Sequence, residues 1–549
     1  MAELTITRSR TRSFGRGARP GRVPLPASWM TLALWGLAIM VAGAVLLPTT
    51  YLLVRTLDAG TAAWGLVFQA RTAQILGRTA WLALTVTVAS AAIAVPLAWL
   101  TVRTDLPFRR LWAVLTALPL VIPSYVGAYL VVAALGPRGM VQQWLEELVG
   151  ISRLPDIYGF PGALLVLTML SYPYTLLIVR AALLRLDPAL EEASRSLGYG
   201  PWTTFWRVTL PQLRPALAAG SLLVALYTLR DFGAVSIMRY NTFTRVIYIQ
   251  YQSTFDRAAA AALSLVLVAL SLGVLVLEVR TQRRARYHRS RGKSARARPV
   301  TRLGPWRWPA LLFCATVVSV SLVLPAGVLL YWLVRGLRAG QELTPLWLAT
   351  RNSVLASGAA AVATLVAALP VAVLNVRRPG RLSHLVERLT YTGFALPGVV
   401  IALALVFFGA RYARPLYQTL PMLIFAYVIL FLPQAVGAVR ASLLQVHPSL
   451  EETARSLGRR PWQVFTTITM PLVWPGAAAG MGLVFLTTMK ELPATLILGP
   501  LGFKTLSTLV WSAVSEAFFA QAAAPALLLI LVSSVPMTLF ILKEHGEET

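Results

Sequence analysis

Twelve apolar runs dominate the chain, each long enough to cross a bilayer as a helix rising about 1.5 Å per residue. In the first half they lie near residues 29–54, 77–102, 111–135, 160–180, 213–237 and 258–279. In the second half they lie near 308–334, 352–376, 389–409, 417–439, 475–499 and 521–542. Hydrocarbon offers no water to satisfy free backbone N–H and C=O groups, so runs of this length and continuity predict helices rather than barrel strands. Composition agrees: of 549 residues, 57% are hydrophobic and only 13% charged, too apolar for a soluble core to hide.

The 50 Lys and Arg residues outnumber the 21 Asp and Glu, giving a net charge of +29. They cluster in short segments between the apolar runs, and no basic, aromatic-rich globular segment exists, so no nucleic-acid partner is expected. Read instead as topology, the clusters report the cytoplasmic side of a bilayer. Arg103, Arg109 and Arg110, the stretches 180–214, 280–307 and 440–460, and Arg377, Arg378, Arg381 and Arg388 all fall in even-numbered loops. The opposite loops carry fewer, such as Arg71, Arg78, Arg335, Arg338 and Arg411. A multi-pass inner-membrane protein with both termini cytoplasmic is expected.

Residues 1–28 read as a basic cytoplasmic tail; the next run is long enough to span, which argues against a cleaved signal peptide. Two membrane domains, 29–280 and 308–549, are joined by a basic linker, 281–307, suited to a place near anionic headgroups. The linker contains Gly292-Lys293-Ser294, but Tyr287 stands where a phosphate-binding loop needs glycine, and no strand precedes it, so no nucleotide site is expected on this chain. The lone cysteine, Cys314, and four scattered histidines offer neither a disulfide nor a metal cage. No cofactor is expected.

Leu184–Gly220 and Leu444–Gly480 align without a gap, and about half of their positions are identical. Each copy lies between the fourth and fifth runs of its half, and each half holds an even number of runs. The duplication is therefore parallel, with a pseudo-two-fold axis along the membrane normal. The fold class expected is an all-α integral membrane protein of about twelve transmembrane helices in two parallel, pseudo-symmetric six-helix halves.

Within each copy the local structure is readable. Asp187 can cap a helix starting at Pro188. Leu190, Ala193, Ser194 and Leu197 then share one face, with Glu191, Glu192 and Arg195 elsewhere. Gly198 suits a left-handed helix end, and a second short helix can run from Pro201 and stop before Pro211. The second copy places Leu450, Thr453, Ala454, Leu457, Gly458, Pro461 and Pro471 in the same roles, with His447 a weaker cap than Asp187. Two readings stand on the residues alone: a connector packed on its own bundle, or a docking element, duplicated to suit a two-fold soluble partner.

Glu192-Ala193-Ser194, three residues, Gly198, then Val208-x-Leu210-Pro211 resembles the EAA loop of binding-protein-dependent ABC importer permeases. Glu452-Thr453-Ala454, Gly458 and Ile468-x-Met470-Pro471 form the second such loop. The resemblance covers nearly the whole chain. It implies that Glu191, Glu192, Ala193, Gly198, Glu451, Glu452, Ala454 and Gly458 couple the chain to a separate cytoplasmic ABC ATPase dimer, and that a periplasmic substrate-binding protein delivers the solute. The chain itself would then be a transport subunit rather than an enzyme. Asp231-Phe232-Gly233-Ala234, the stretch Lys490–Thr495 and the stretch Thr505–Trp511 are similar to fused ferric-iron permeases. That narrower likeness implies Fe(III), with thiamine and polyamines as alternatives of the same architecture.

Arg230-Asp231 and Lys490-Glu491 recur at equivalent positions inside the fifth and eleventh runs. A charge at the bilayer centre costs about 2.5–3.5 kcal/mol on insertion scales, so such residues need partners or water. Two roles are open: ion pairs that fix helix packing, with pairing across the pseudo-symmetry axis favoured over Arg230 with Asp231, or a gate lining the route between the halves. The spans hold few acidic residues for hard Fe(III), so no metal ligands are expected among them. Pro96, Pro119, Pro123, Pro173, Pro370, Pro397 and Pro433 are expected to kink their helices. An ion-coupled secondary transporter, the competing class, would need intramembrane coupling carboxylates and no duplicated docking loop.

Overall fold

A computed structural model describes residues 29–58, 65, 67–137, 139–150, 155–253, 257–286, 300–340 and 345–546. The basic tail and linker residues 287–299, with Gly292-Lys293-Ser294, lie outside the described residues. Omitting short connectors, the first half comprises α1 (Trp29–Asp58), α2 (Ala70–Arg103), α3 (Arg109–Leu115), α4 (Ser124–Leu135), α5 (Phe160–Arg185), α6 (Pro188–Ser196), α7 (Leu210–Arg230), α8 (Gly233–Ile237), α9 (Phe243–Ser253) and α10 (Arg257–Arg286). The second half comprises α11 (Arg307–Val318), α12 (Leu324–Arg338), α13 (Pro345–Arg377), α14 (Arg381–Ala395), α15 (Gly398–Tyr412), α16 (Leu420–Gln445), α17 (Pro448–Ser456), α18 (Met470–Met489), α19 (Pro493–Leu498), α20 (Leu506–Ser515) and α21 (Phe519–Gly546). From α2 and α13 onward the two halves repeat one another in the same order, while α1 corresponds to α11 and α12 joined by a π turn, Ser319–Val323; no strand occurs among the described residues.

The chain is an all-α, multi-pass membrane protein, but its twelve runs are not twelve uninterrupted spans. Eight described helices are long and apolar enough to cross a membrane. The third and ninth runs are sharply bent pairs, the ninth by 104°. Both breaks occur before a proline: Ile122 and Leu396 adopt extended ψ values of 121° and 124° ahead of Pro123 and Pro397. The proline ring disfavours α geometry in the preceding residue, and at these two prolines the run breaks where a kink was expected. Pro96, Pro173, Pro370 and Pro433 sit inside continuous helices. The fifth and eleventh runs also break, at Asp231-Phe232 and at Lys490–Leu492, before the short helices α8 and α19.

Packing follows the repeat. In one half α2 lies against α5 and α7; in the other α13 lies against α16 and α18. Glycines let these helices approach closely. A Cβ on Gly220 would stand 2.9 Å from the Thr175 Cα, and one on Gly480 would stand 2.8 Å from the Ala438 Cβ. The first helix of each half crosses to the other. α1 packs on α13, α14 and α15, burying Ala38, Ala42 and Val45 in a core shared with Val399 and Leu430. Reciprocally, Cys314 and Val317 of α11 join a core with Leu97, Tyr172 and Leu176.

Candidate functional site

The duplicated loops form helix–turn–helix elements, one per half. Asp187 Oδ1 accepts from the Ala189 N–H at 3.0 Å, whereas His447 Nδ1 accepts from Ser449 N–H at a longer 3.3 Å, as expected of a weaker cap. Gly198 and Gly458 take φ of +86° and +84°, the left-handed region that glycine enters without strain. Their turns close with Tyr199 N–H donating to the Ser194 carbonyl and Arg459 N–H to the Ala454 carbonyl.

One expectation about these elements fails. The second helix does not stop before Pro211. Pro201–Thr204 runs through a π turn, Phe205–Thr209, straight into α7, and Phe465–Thr469 does the same ahead of α18. Leu210 N–H and Met470 N–H each donate to the carbonyl five residues back, a wider turn that admits the following proline without breaking the helix. Of the face shared by Leu190, Ala193, Ser194 and Leu197, only Ser194 is buried. Leu197 and Leu457 are 75% and 79% exposed, while Glu191 and Glu451 are buried. Ser194 and Ala454 are buried beside those glutamates, and Glu192, Ala193 and Gly198, with Glu452 and Gly458, face outward.

Each buried glutamate has a specific holder that the repeat alignment does not reveal. Arg103, at the end of α2, lies 3.5 Å from Glu191 Oε1 and also donates to the Leu183 carbonyl. Arg377, at the end of α13, reaches Glu451 Oε1 at 2.7 Å and donates to the Val446 carbonyl. Thr209 and Thr469 hydroxyls donate to the same two carboxylates, at 3.1 and 2.9 Å. Burial removes each charge from water, so the full set of partners is what makes the arrangement stable. The available signal in sequence was an arginine ending the second apolar run of each half.

The first element has an extra tie. Thr301, within the linker, forms a parallel bridge with Thr104, and its hydroxyl accepts from Arg195 Nη2 at 2.9 Å. Asp105 Oδ1 accepts from Leu303 N–H at 2.8 Å.

Between the halves lies a cavity of about 210 Å³, lined by Arg230, Asp231, Lys490 and Glu491 together with Tyr174, Tyr227 and Gln434. The four charged residues are thus brought to one place, but no ion pair joins them; that expectation is corrected. Instead, Lys490 Nζ donates across the halves to the Leu120 carbonyl at 2.8 Å. Arg230 Nη1 donates the other way to the Phe394 carbonyl at 2.9 Å, its guanidinium lying over the Phe394 ring. Both carbonyls end a helical segment just before Pro123 or Pro397, where backbone acceptors lose their intrahelical donors. The cations therefore satisfy groups exposed by the proline breaks.

The carboxylates serve the other pair of breaks. Asp231 Oδ1 accepts from Ala234 N–H and Val235 N–H at 3.0 and 3.2 Å, and Glu491 Oε1 from Ala494 N–H at 3.3 Å. Each caps the short helix that follows. Gly398 leaves room for the Glu491 carboxylate, which a Cβ there would meet. No group of three or more His, Cys, Asp or Glu residues that could hold a metal ion occurs among the described residues.

Comparison with known proteins adds a second line of evidence. The model for the binding-protein-dependent transport system inner membrane component family matches residues 94–287 and again 349–542. A ferric-iron transport system permease of Haemophilus influenzae, FbpB 2, is 36% identical over 525 residues, covering 95% of this chain and 99% of the relative. The ferric transport system permease FbpB of Actinobacillus pleuropneumoniae is 26% identical across 76% of this chain and 64% of its own length. The molybdenum transport system permease ModB of Escherichia coli is 36% identical, but over only 25% of this chain and 58% of its own.

Proposed function

The chain belongs to the family of binding-protein-dependent transport system inner membrane components, and from that membership we propose that it is the permease of an ATP-driven importer of ferric iron. The observation that carries the coupling role is the pair of equivalent elements, each presenting exposed apolar residues such as Leu197 and Leu457. Both leucines lie outside the membrane-spanning helices, where exposed apolar residues have no lipid to face, so the elements fit a docking site better than a connector. The expected occupant is a separate ATPase dimer, whose closure draws the elements together; the face they occupy is then cytoplasmic. Arg103 and Arg377 pass that motion to α2 and α13 through the buried glutamates. A periplasmic binding protein delivers the solute at the opposite face.

Support for iron comes from the likeness to FbpB 2 along nearly the whole chain, against a quarter of it for the molybdenum permease. Asp231 and Glu491 already accept backbone N–H groups, so the cavity suits brief passage of Fe(III) rather than tight binding, with selection left to the binding protein. Arg230 and Lys490 gate this route by tying each half to the other.

The test is ATP-dependent uptake of radioactive ferric iron into proteoliposomes holding the permease, its ATPase and the iron-loaded binding protein. Gly198→Pro, or Glu192→Lys combined with Glu452→Lys, should abolish uptake while membrane insertion is unchanged. Normal uptake by the doubly reversed variant would remove the docking role. A binding protein that carries no ferric iron would remove the substrate.

A further inference from the structure

At the end of the first half remote from the coupling elements, α2 crosses α9 and leaves a cavity of about 150 Å³ that is open on one side. Arg71, Gln74 and Arg78 line one side; they fall at i, i+3 and i+7 and so share a face of α2. Asn241 and Gln250 line the other side, and three apolar side chains complete the wall. Arg239 and Arg245 flank Asn241 in sequence. Arg239 lies over the Tyr158 ring, and Arg245 donates to the Asn241 side-chain oxygen. None of these four arginines makes an ion pair among the described residues.

The second half makes the same crossing and closes it. Thr79 Oγ1 accepts from Phe243 N–H at 3.2 Å in one half, and Ser353 Oγ accepts from Leu506 N–H at 2.8 Å in the other. These bonds are pseudo-equivalent. One residue earlier, Asn352 Nδ2 donates to the Lys504 carbonyl at 3.0 Å and seals the second crossing. Arg78 stands in its place in the first half and makes no such side-chain bond; only its backbone carbonyl is engaged, by the Tyr240 hydroxyl at 3.2 Å. Where α2 has Arg71 and Gln74, α13 has Pro345 and Leu348. The basic cavity is thus a departure from the repeat, and the α2 residues that build it precede the stretch matched by the family.

We propose that this cavity is an oxyanion-binding site that takes a single carboxylate or phosphate group. Arg71 and Arg78 sit about 10 Å apart along the helix axis, seven residues at the helical rise, with the Gln74 amide between them. Their guanidinium forks can approach one anion from two ends. A cavity of about 150 Å³ holds several waters and has room for one such group in their place. The anion has two possible sources, a soluble ion or the headgroup of an anionic lipid.

The experiment uses the full chain in nanodiscs. In phosphatidylcholine discs, inorganic phosphate and citrate are titrated by calorimetry. In discs containing phosphatidylglycerol, the lipid retained by the released protein is counted by native mass spectrometry. Saturable binding in either arm is expected, weakened at least tenfold in the Arg71→Gln/Arg78→Gln variant, and the arm that responds names the source. Both arginines are exposed, so the variant should elute as a monodisperse species like the parent. Gln74→Leu/Asn241→Leu, which removes donors without changing charge, should weaken binding as well. Binding in neither arm, or binding that the double-arginine variant retains in full, overturns the proposal.

Discussion

Replacing both Lys490 and Arg230 by methionine should release the two halves from each other. Each side chain makes one charge-assisted hydrogen bond to a carbonyl of the opposite half, at 2.8 and 2.9 Å. Hydrogen bonds to charged groups contribute about 1.5–3 kcal/mol. At the low end, each loss shifts the equilibrium between joined and separated arrangements about tenfold, and both together shift it roughly a hundredfold if the effects add. A resting population near 99:1 would then approach parity. The assay is electron–electron spin distance measurement between labels at Leu197→Cys and Leu457→Cys, both strongly exposed, one on each coupling element. The only native cysteine is Cys314, which is buried and can be replaced by alanine to give a clean background. The expected result is a second distance population in the methionine variant without ATPase or nucleotide. A folded, monodisperse variant whose distance distribution matches the parent would refute the gating role of the cross-half bonds.

Arg103→Met strands Glu191 in a buried site and should lower stability by about 3–5 kcal/mol, whereas Arg103→Met with Glu191→Gln should recover most of it, read by thermal unfolding in detergent; equal losses in both variants would show that the charge pair contributes nothing. Gly220→Val should cost about 1–3 kcal/mol, because its new atoms press on the Thr175 backbone. Gly198→Ala has open space and should cost only the strain of its positive φ, about 1 kcal/mol; the same unfolding measurement ranks the two, and a larger loss at Gly198 would contradict the packing argument.

Hydrophobic run length by itself determined that the chain is helical and lies in a membrane, since lipid leaves unpaired backbone groups no other solution. The gapless repeat determined the two-fold plan, and its local signals placed the caps at Asp187 and His447 and the left-handed turns at Gly198 and Gly458, because capping and φ preferences act within a few residues. Proline was only half legible. The seven prolines look alike in sequence, yet Pro123 and Pro397 break their helices while Pro173 and Pro433 do not. At both breaks the freed carbonyl is met by a cation from the other half, more than a hundred residues away, which no local signal announces. The same distance hid the burial of Glu191 and Glu451, whose partners end a different helix. Short-range preferences are written locally, but a buried charge goes wherever the assembled fold supplies its counterpart, and only tertiary packing decides where that is.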